Sequence, residues 1–238
     1  MSRSASKPLP PPLLPENRTV GQLVAESLKL YGDHLWTSLA LGLSVTLINQ
    51  VSAGHETGFQ VLVLTAGAPL MAASFVGASA IVGGVRPSAA DWVRAIVVGA
   101  IVFVPAAFLT LLYVLPAVAW LALVGLVVPV LVIERPGIAA AFRRAIELSR
   151  VDYVHAVASL ATLVVLFGLV KLTLTLLLRD LGDAGERAAL GLGDLVVSPL
   201  LFLGSALLYV DQAARVSSGS STKRSADGVN ARRARSGG

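Results

Sequence analysis

The chain has 238 residues, of which 55% are hydrophobic and only 14% are charged. Soluble domains carry about 25% charged residues, and residues 95–133 carry none here. This composition excludes an ordinary water-soluble core and predicts an all-α integral membrane protein. Cysteine is absent, which excludes disulfides and thiol chemistry. The net charge of +5 does not indicate nucleic-acid binding, because the basic residues lie between and after apolar segments, as orientation signals do.

Residues 1–17 are predicted to form a disordered, proline-rich arm. They begin basic, like a secretory signal, but five prolines between Pro8 and Pro15 interrupt the apolar run that a signal needs. A polyproline-type spacer fits this composition. A docking motif for a proline-binding partner is the alternative.

A first amphipathic helix is predicted directly before the first span. Thr19 and Gln22 have the spacing of a capping box. Apolar residues then recur on one helical face, and Trp36 follows, where an indole favours the boundary between lipid and water. We therefore expect this helix to lie in the membrane surface.

Six transmembrane helices are predicted from the apolar segments. About 20 helical residues cross a hydrocarbon layer of about 30 Å. The uncharged run 95–133 would extend roughly 58 Å as one helix, so it must fold back, and Tyr113 to Pro116 is the favoured turn. The apolar segments are 35–51, 59–82 with a bend at Pro69, 95–133 divided into two spans, 154–178 and 195–210.

The basic residues give an independent test of this count. Sixteen of the nineteen Lys and Arg lie in the amino-terminal arm, the loops after spans two and four, and the carboxyl-terminal tail. Positive residues favour the cytoplasmic side. The sequence therefore predicts a multi-pass protein of the cell membrane with both termini in the cytoplasm.

A second amphipathic helix is predicted between spans four and five. Pro136 suits the first turn of a helix. Ile138, Phe142, Ala145 and Ile146 then share one face. We expect this face to lie among acyl chains; a loop helix packed on the bundle is the alternative.

The arginines of this loop are the candidate site residues. We predict that they contact lipid headgroups, with anionic lipid as the partner. For Glu134, an exposed pair with Arg135 is favoured over a headgroup contact. The four predicted lipid-contacting residues are Arg135, Arg143, Arg144 and Arg150.

The remaining polar residues do not indicate a catalytic, cofactor or metal site. Asp152 and His155 can share a helical face, but zinc requires three or four ligands. Asp152, Asp194 and Asp211 lie near span ends, where capping or headgroup contact is expected. Lys171 is the charge inside a span, and its long stem predicts that the ammonium reaches the outer surface. No nucleotide-binding loop or serine nucleophile motif is present.

Two further features complete the organisation. Small residues recur along span two at Ala73, Gly77, Ala80 and Gly84, which predicts close helix packing. The segment 216–238 is rich in Ser, Gly and Arg and is predicted to be a disordered basic tail. The membrane domain therefore spans residues 18–215.

Three local patterns in this domain resemble the glycerophosphoryl diester phosphodiesterase membrane-domain family. They are Arg18-x-x-Gly21-x-Leu23 followed by Leu30-Tyr31 and Trp36; Pro129-x4-Glu134-x2-Gly137-x3-Ala141-x2-Arg144 followed by Leu148 and Arg150; and Leu208-Tyr209-x-Asp211. The chain departs from the family at Ala145, where Ser is common, and at Ala213, where Arg is common. The resemblance implies a helical membrane module that occurs alone or fused to a catalytic phosphodiesterase.

The resemblance does not imply catalysis by this chain. The family's catalytic part is a separate barrel, which would need roughly 200 or more additional soluble residues. We therefore expect a non-enzymatic membrane protein, a scaffold or accessory for envelope or lipid-linked processes. The alternative is a small transporter or channel for an uncharged solute, based on the prolines at 69, 105 and 129 that can interrupt spans.

Overall fold

The computed structural model describes residues 18–178, 180 and 182–236, without the side chains of 111–112, 183–184 and 219–236. Within this part the chain is helical, and the order of the helices follows the predicted spans. The helices are α1 (Val20–Asp33), α2 (Leu35–Ser52), α3 (Thr57–Ala66), α4 (Ala68–Gly83), α5 (Ala89–Leu112), α6 (Val114–Val124), α7 (Val127–Ile133), α8 (Ile138–Val151), α9 (Tyr153–Leu178) and α10 (Gly182–Ser236). The predicted proline-rich arm, residues 1–17, lies outside the described residues.

The described helices confirm an all-α membrane protein. Five segments are long and apolar enough to cross a membrane: α2, α5, α6 with α7, α9, and the first part of α10. The pair α3 and α4 passes the same test with a 47° bend and can form a sixth span. The bend lies at Gly67, between Ala66 and Ala68, close to the predicted bend at Pro69.

The long uncharged run folds back where the sequence predicts. Helix α5 ends at Leu112, and Tyr113 adopts an extended conformation before α6 begins at Val114. Trp120 on α6 then donates its indole hydrogen to the carbonyl of Val102 on α5 at 2.9 Å. This bond fixes the two antiparallel helices beside each other.

Helix α7 is the centre of the bundle. Every residue from Val127 to Val132 is buried. The helix packs against α4, α5 and α8, and the core continues along α10 through Leu203 and Leu208. An uninterrupted apolar run is what a helix surrounded on all sides requires.

Helix α10 extends beyond the membrane domain, to Ser236. Its backbone is therefore helical in the segment that composition predicts to be disordered. Composition predicts disorder here because the segment lacks large apolar side chains that could pack against the bundle. Extending a helix that has already formed nevertheless costs little, because each added residue gains a hydrogen bond. No proline follows Pro199 to stop it.

Candidate functional site

Helix α8 is held on the bundle by one tightly packed face. Ala141, Ala145 and Leu148 are fully buried against the neighbouring helices α6, α7 and α10. Ser149 adds a polar contact, with its hydroxyl 2.9 Å from the carbonyls of Ala122 and Leu123. These carbonyls end α6, where the break before α7 removes their helical partners.

This packing corresponds to the alternative interpretation of the helix. Ala145, predicted to lie among acyl chains, is buried in protein, and Phe142 is partly buried. Ile138 keeps 47% of its surface exposed. The helix also begins two residues later than predicted, with Gly137 as its N-cap and Pro136 outside.

The four predicted site arginines fall into two groups. Arg143 and Arg150 are exposed on the side of α8 opposite the buried face. Among the described residues, no carboxylate lies within ion-pair distance of either guanidinium. Arg135 is also exposed, and it donates to the carbonyl of Arg86 at 3.0 Å.

Arg144 is committed to contacts within the protein. Its guanidinium lies 3.4 Å from Glu134 and 3.1 Å from Glu147. Partial burial lowers the pKa of Arg144, but the hydrogen bonds and charges of these two carboxylates outweigh it and hold the pKa above the ordinary value. The predicted headgroup contact of Arg144 would therefore have to compete with Glu134 and Glu147.

Glu134 connects α8 to the last span. It accepts a hydrogen bond of 2.8 Å from the Tyr209 hydroxyl on α10. The predicted exposed pair between Glu134 and Arg135 does not form; the partners are Arg144 and Tyr209. Arg135 takes a positive φ of 54°, which directs the chain from α7 into α8.

A second polar cluster joins the start of the domain to its end. Arg18 pairs with Asp211 at 2.6 Å, and the Asp211 side chain is fully buried. Arg215 pairs with Asp152, and its guanidinium also donates to the carbonyl of Arg18 at 3.4 Å. Asp152 in addition caps α9 by accepting from the backbone of His155.

These contacts settle part of the prediction for the acidic residues. Asp152 is a helix cap, as expected, but it also forms an ion pair. Asp211 forms a buried ion pair and does not reach the surface. Within the described residues, no group of three His, Asp or Glu side chains could hold a metal ion.

Five polar residues of the three sequence patterns are partners in space, whereas Arg150 of the second pattern stays exposed. Arg18 of the first pattern pairs with Asp211 of the third. Glu134 and Arg144 of the second pattern pair with each other, and Glu134 binds Tyr209 of the third. The patterns therefore describe a set of contacts that joins α1, α8 and α10 at one end of the bundle.

A third polar cluster lies within the spans. Lys171 Nζ is 2.9 Å from Asp194 Oδ1 and 3.1 Å from Oδ2, to which it donates. Asn49 on α2 donates to the same Oδ2 at 2.7 Å. Asp194 is 1% exposed, and Lys171 lies about 10 Å along α9 from Leu178 by the rise of a helix. The ammonium is thus paired with a buried carboxylate, although the Lys171 side chain keeps 29% of its surface exposed. The prediction that it reaches the outer surface did not include this partner.

The sequence contains only a partial signal for this cluster. Lys171 and Asp194 flank the same predicted outer loop, and Asn49 lies at the same end of the first span. Charges inside a membrane pair with one another. The predicted spans, however, place Lys171 well inside span five and Asp194 just outside span six, so their positions along the chain do not by themselves predict the pair.

Comparison of this chain with family models, with curated proteins and with solved structures finds no match. The resemblance described above is therefore an expectation drawn from local patterns.

Proposed function

We propose that this chain is a non-enzymatic multi-pass protein of the cell membrane, with both termini in the cytoplasm, that contacts anionic lipid through α8. In this proposal α1 and α8 lie at the cytoplasmic surface of the membrane. The protein serves as a scaffold or accessory for envelope or lipid-linked processes. This role agrees with what the family resemblance implies.

One observation carries the proposal. Helix α8 is anchored on one face by Ala141, Ala145 and Leu148, and presents Arg143 and Arg150 outward. A surface depression of about 380 Å³ between these two arginines is also lined by Ile146 and Glu147. Glu147 is already paired with Arg144, so the two outer arginines are the charges left for a phosphate. Two cations beside an apolar side chain suit a lipid headgroup above its acyl chains.

The lipid contact is tested by changing the two outer arginines together. Each Lys or Arg near an anionic surface contributes about 1 kcal/mol. We therefore expect R143Q/R150Q to reduce the preference for anionic over zwitterionic lipid by up to about 30-fold. The measurement is the ratio of phosphatidylglycerol to phosphatidylcholine retained after mild detergent extraction, quantified by mass spectrometry.

The matched control for this experiment keeps the charge. R143K/R150K leaves two cations at the same positions, so its lipid ratio is expected to stay within about fivefold of the parent. An unchanged ratio in R143Q/R150Q contradicts the proposal. A loss in both variants points to a role for the guanidinium geometry.

The orientation is tested by thiol labelling, which the absence of cysteine makes direct. Thr57 is the first residue of the bent pair α3 and α4, and Ala139 lies in α8; both positions are exposed. In intact cells, an impermeant thiol reagent is expected to modify T57C, and to modify A139C only after permeabilisation. Modification of A139C in intact cells would place α8 outside and remove the basis for its contact with the cytoplasmic leaflet.

A transporter for an uncharged solute is the second candidate, and one observation favours it. A cavity of about 130 Å³ lies inside the bundle next to Gly125 and Leu126, where the fourth span is interrupted between α6 and α7. Its lining is almost wholly apolar, including Phe75 and Phe103. Apolar cavities of this size bind small apolar molecules. Solute flux in proteoliposomes that alanine at Pro69, Pro105 and Pro129 abolishes would favour this candidate over the scaffold.

A further inference from the structure

A long groove separates α2 from α4 on the outside of the bundle. It has a volume of about 740 Å³ and is lined from His34, at the start of α2, to Leu47. Thirteen residues of helix extend roughly 20 Å. The groove is therefore longer than one leaflet of the hydrocarbon layer, because the two leaflets together are about 30 Å thick.

The small residues of span two form the floor of this groove. Ala73, Gly77, Ala80 and Gly84 all line it. The sequence predicts that this stripe packs against another helix. Close contact with α2 does occur at Gly77, where an added Cβ would lie 2.8 Å from a methyl carbon of Leu41. Nothing lies within 4 Å of a Cβ added at Gly84, and Ala73 and Ala80 are partly exposed along the groove.

The floor offers no free hydrogen-bonding group at its centre. Ser74 donates to the hydroxyl of Ser44 at 2.9 Å, and Ser44 donates to the carbonyl of Leu41 at 3.1 Å. Exposed leucines, among them Leu43, Leu47 and Leu70, line the groove beside the small residues. The middle of the groove is therefore suited to a hydrocarbon chain.

One end of the groove is basic and aromatic. Arg86 and His34 line it and are exposed, and Trp92 lies beside them. Among the described residues, no carboxylate is within ion-pair distance of the Arg86 guanidinium. The groove therefore presents a cation, then an indole, then an apolar channel. These match, in the same order, the headgroup, glycerol region and acyl chain of a lipid.

We propose that the groove between α2 and α4 binds one anionic phospholipid, with its phosphate at Arg86 and an acyl chain along Ala73 and Gly77. This site is separate from the arginines of α8, so either site can fail without the other. A second copy of the chain is the competing occupant, because small residues often mark helix–helix contacts. A twofold axis along the membrane normal would bring two Arg86 side chains to the same end of the interface, and like charges there oppose dimerisation.

Tryptophan fluorescence gives a direct readout, because Trp92 lines the groove. Trp92 remains as the single indole in the background W36F/W120F. Acyl chains that carry bromine quench an indole in contact with them. We expect brominated phosphatidylglycerol to quench Trp92 at about a fivefold lower mole fraction than brominated phosphatidylcholine. The background W92F/W120F reports on Trp36, which is 82% exposed and outside the groove lining, and there the two lipids are expected to quench alike.

Two variants test the two halves of the site. R86Q is expected to abolish the preference for phosphatidylglycerol at Trp92 while phosphatidylcholine still quenches. A73L fills the floor and is expected to reduce quenching by both lipids at least twofold. A158L is its matched control, because Ala158 is an exposed alanine on α9 outside the groove lining.

The outcomes that overturn the proposal are separate from those for α8. A preference for phosphatidylglycerol that survives R86Q removes the phosphate site at Arg86. Quenching in A73L that equals quenching in A158L removes the acyl-chain site. If A73L also converts a dimer into a monomer in detergent, the occupant is a second copy. R143Q/R150Q is expected to leave the Trp92 preference unchanged, whether or not α8 binds lipid.

Discussion

Replacing Lys171 with methionine is expected to destabilise the protein by about 3–5 kcal/mol, because the buried Asp194 carboxylate then lacks its cation. Asn49 would remain as a hydrogen-bond donor to Asp194, at 2.7 Å, but an amide does not neutralise a charge. For a chain of this size, 1 kcal/mol shifts the unfolding midpoint by about 2–4 °C. K171M should therefore lower the midpoint in detergent by about 6–20 °C.

A double variant separates the pair from the individual side chains. K171M/D194L removes both charges and leaves no unpaired ion, so most of the lost stability is expected to return. K29M is the matched single control, because Lys29 is exposed on α1, and it should change stability by no more than about 0.5 kcal/mol. If K171M behaves like K29M, the ammonium reaches water without Asp194, as the sequence alone predicts.

The sequence predicts that the Lys171 ammonium reaches water, whereas the structure pairs it with Asp194. This difference shows which features could be predicted from the sequence and which could not. Segment length and hydrophobicity depend on the chain alone, so the five spans, the bent pair α3 and α4, the turn at Tyr113 and the capping box of Thr19 and Gln22 were predictable. The direction of the Lys171 side chain depends on which neighbour lies at the same depth. That neighbour, Asp194, belongs to another helix, and no local pattern names it.

The same reasoning explains why the sequence-based predictions and the structure differ at α8 and α4. The sequence predicts an apolar face on α8 but does not distinguish lipid from protein as its surroundings, and Ala145 is buried in protein. The stripe at Ala73 and Gly77 is visible as small residues, yet its neighbour could be a helix or an open groove. In both cases the missing information is the position of another helix.

The ion pair between Arg18 and Asp211 yields the prediction with the largest local effect. It is the ion pair that joins the beginning of the domain to α10, at 2.6 Å with Asp211 fully buried, and the hydrogen bond from Arg215 to the Arg18 carbonyl lies beside it. Removing the cation in R18M leaves an unpaired buried carboxylate, which costs about 3–5 kcal/mol. Because α1 carries few other buried side chains, chiefly Leu23 and Ser27, the cost should appear as local opening of α1.

Thiol reactivity measures this opening directly. Ser27 is fully buried, so S27C should react only when α1 detaches, and each 1.4 kcal/mol corresponds to a tenfold change in the open population. We expect R18M to accelerate modification of S27C by about 10²- to 4 × 10³-fold, and R18M/D211L to restore slow modification. A78C, buried on α4, should keep its rate in R18M. The partly buried pair of Arg94 and Asp91 within α5 is the control for charge loss, and R94Q should change the S27C rate by less than about fivefold. Equal acceleration at positions 27 and 78 would mean that the pair stabilises the whole bundle, whereas no acceleration at either would mean that other contacts hold α1 in place.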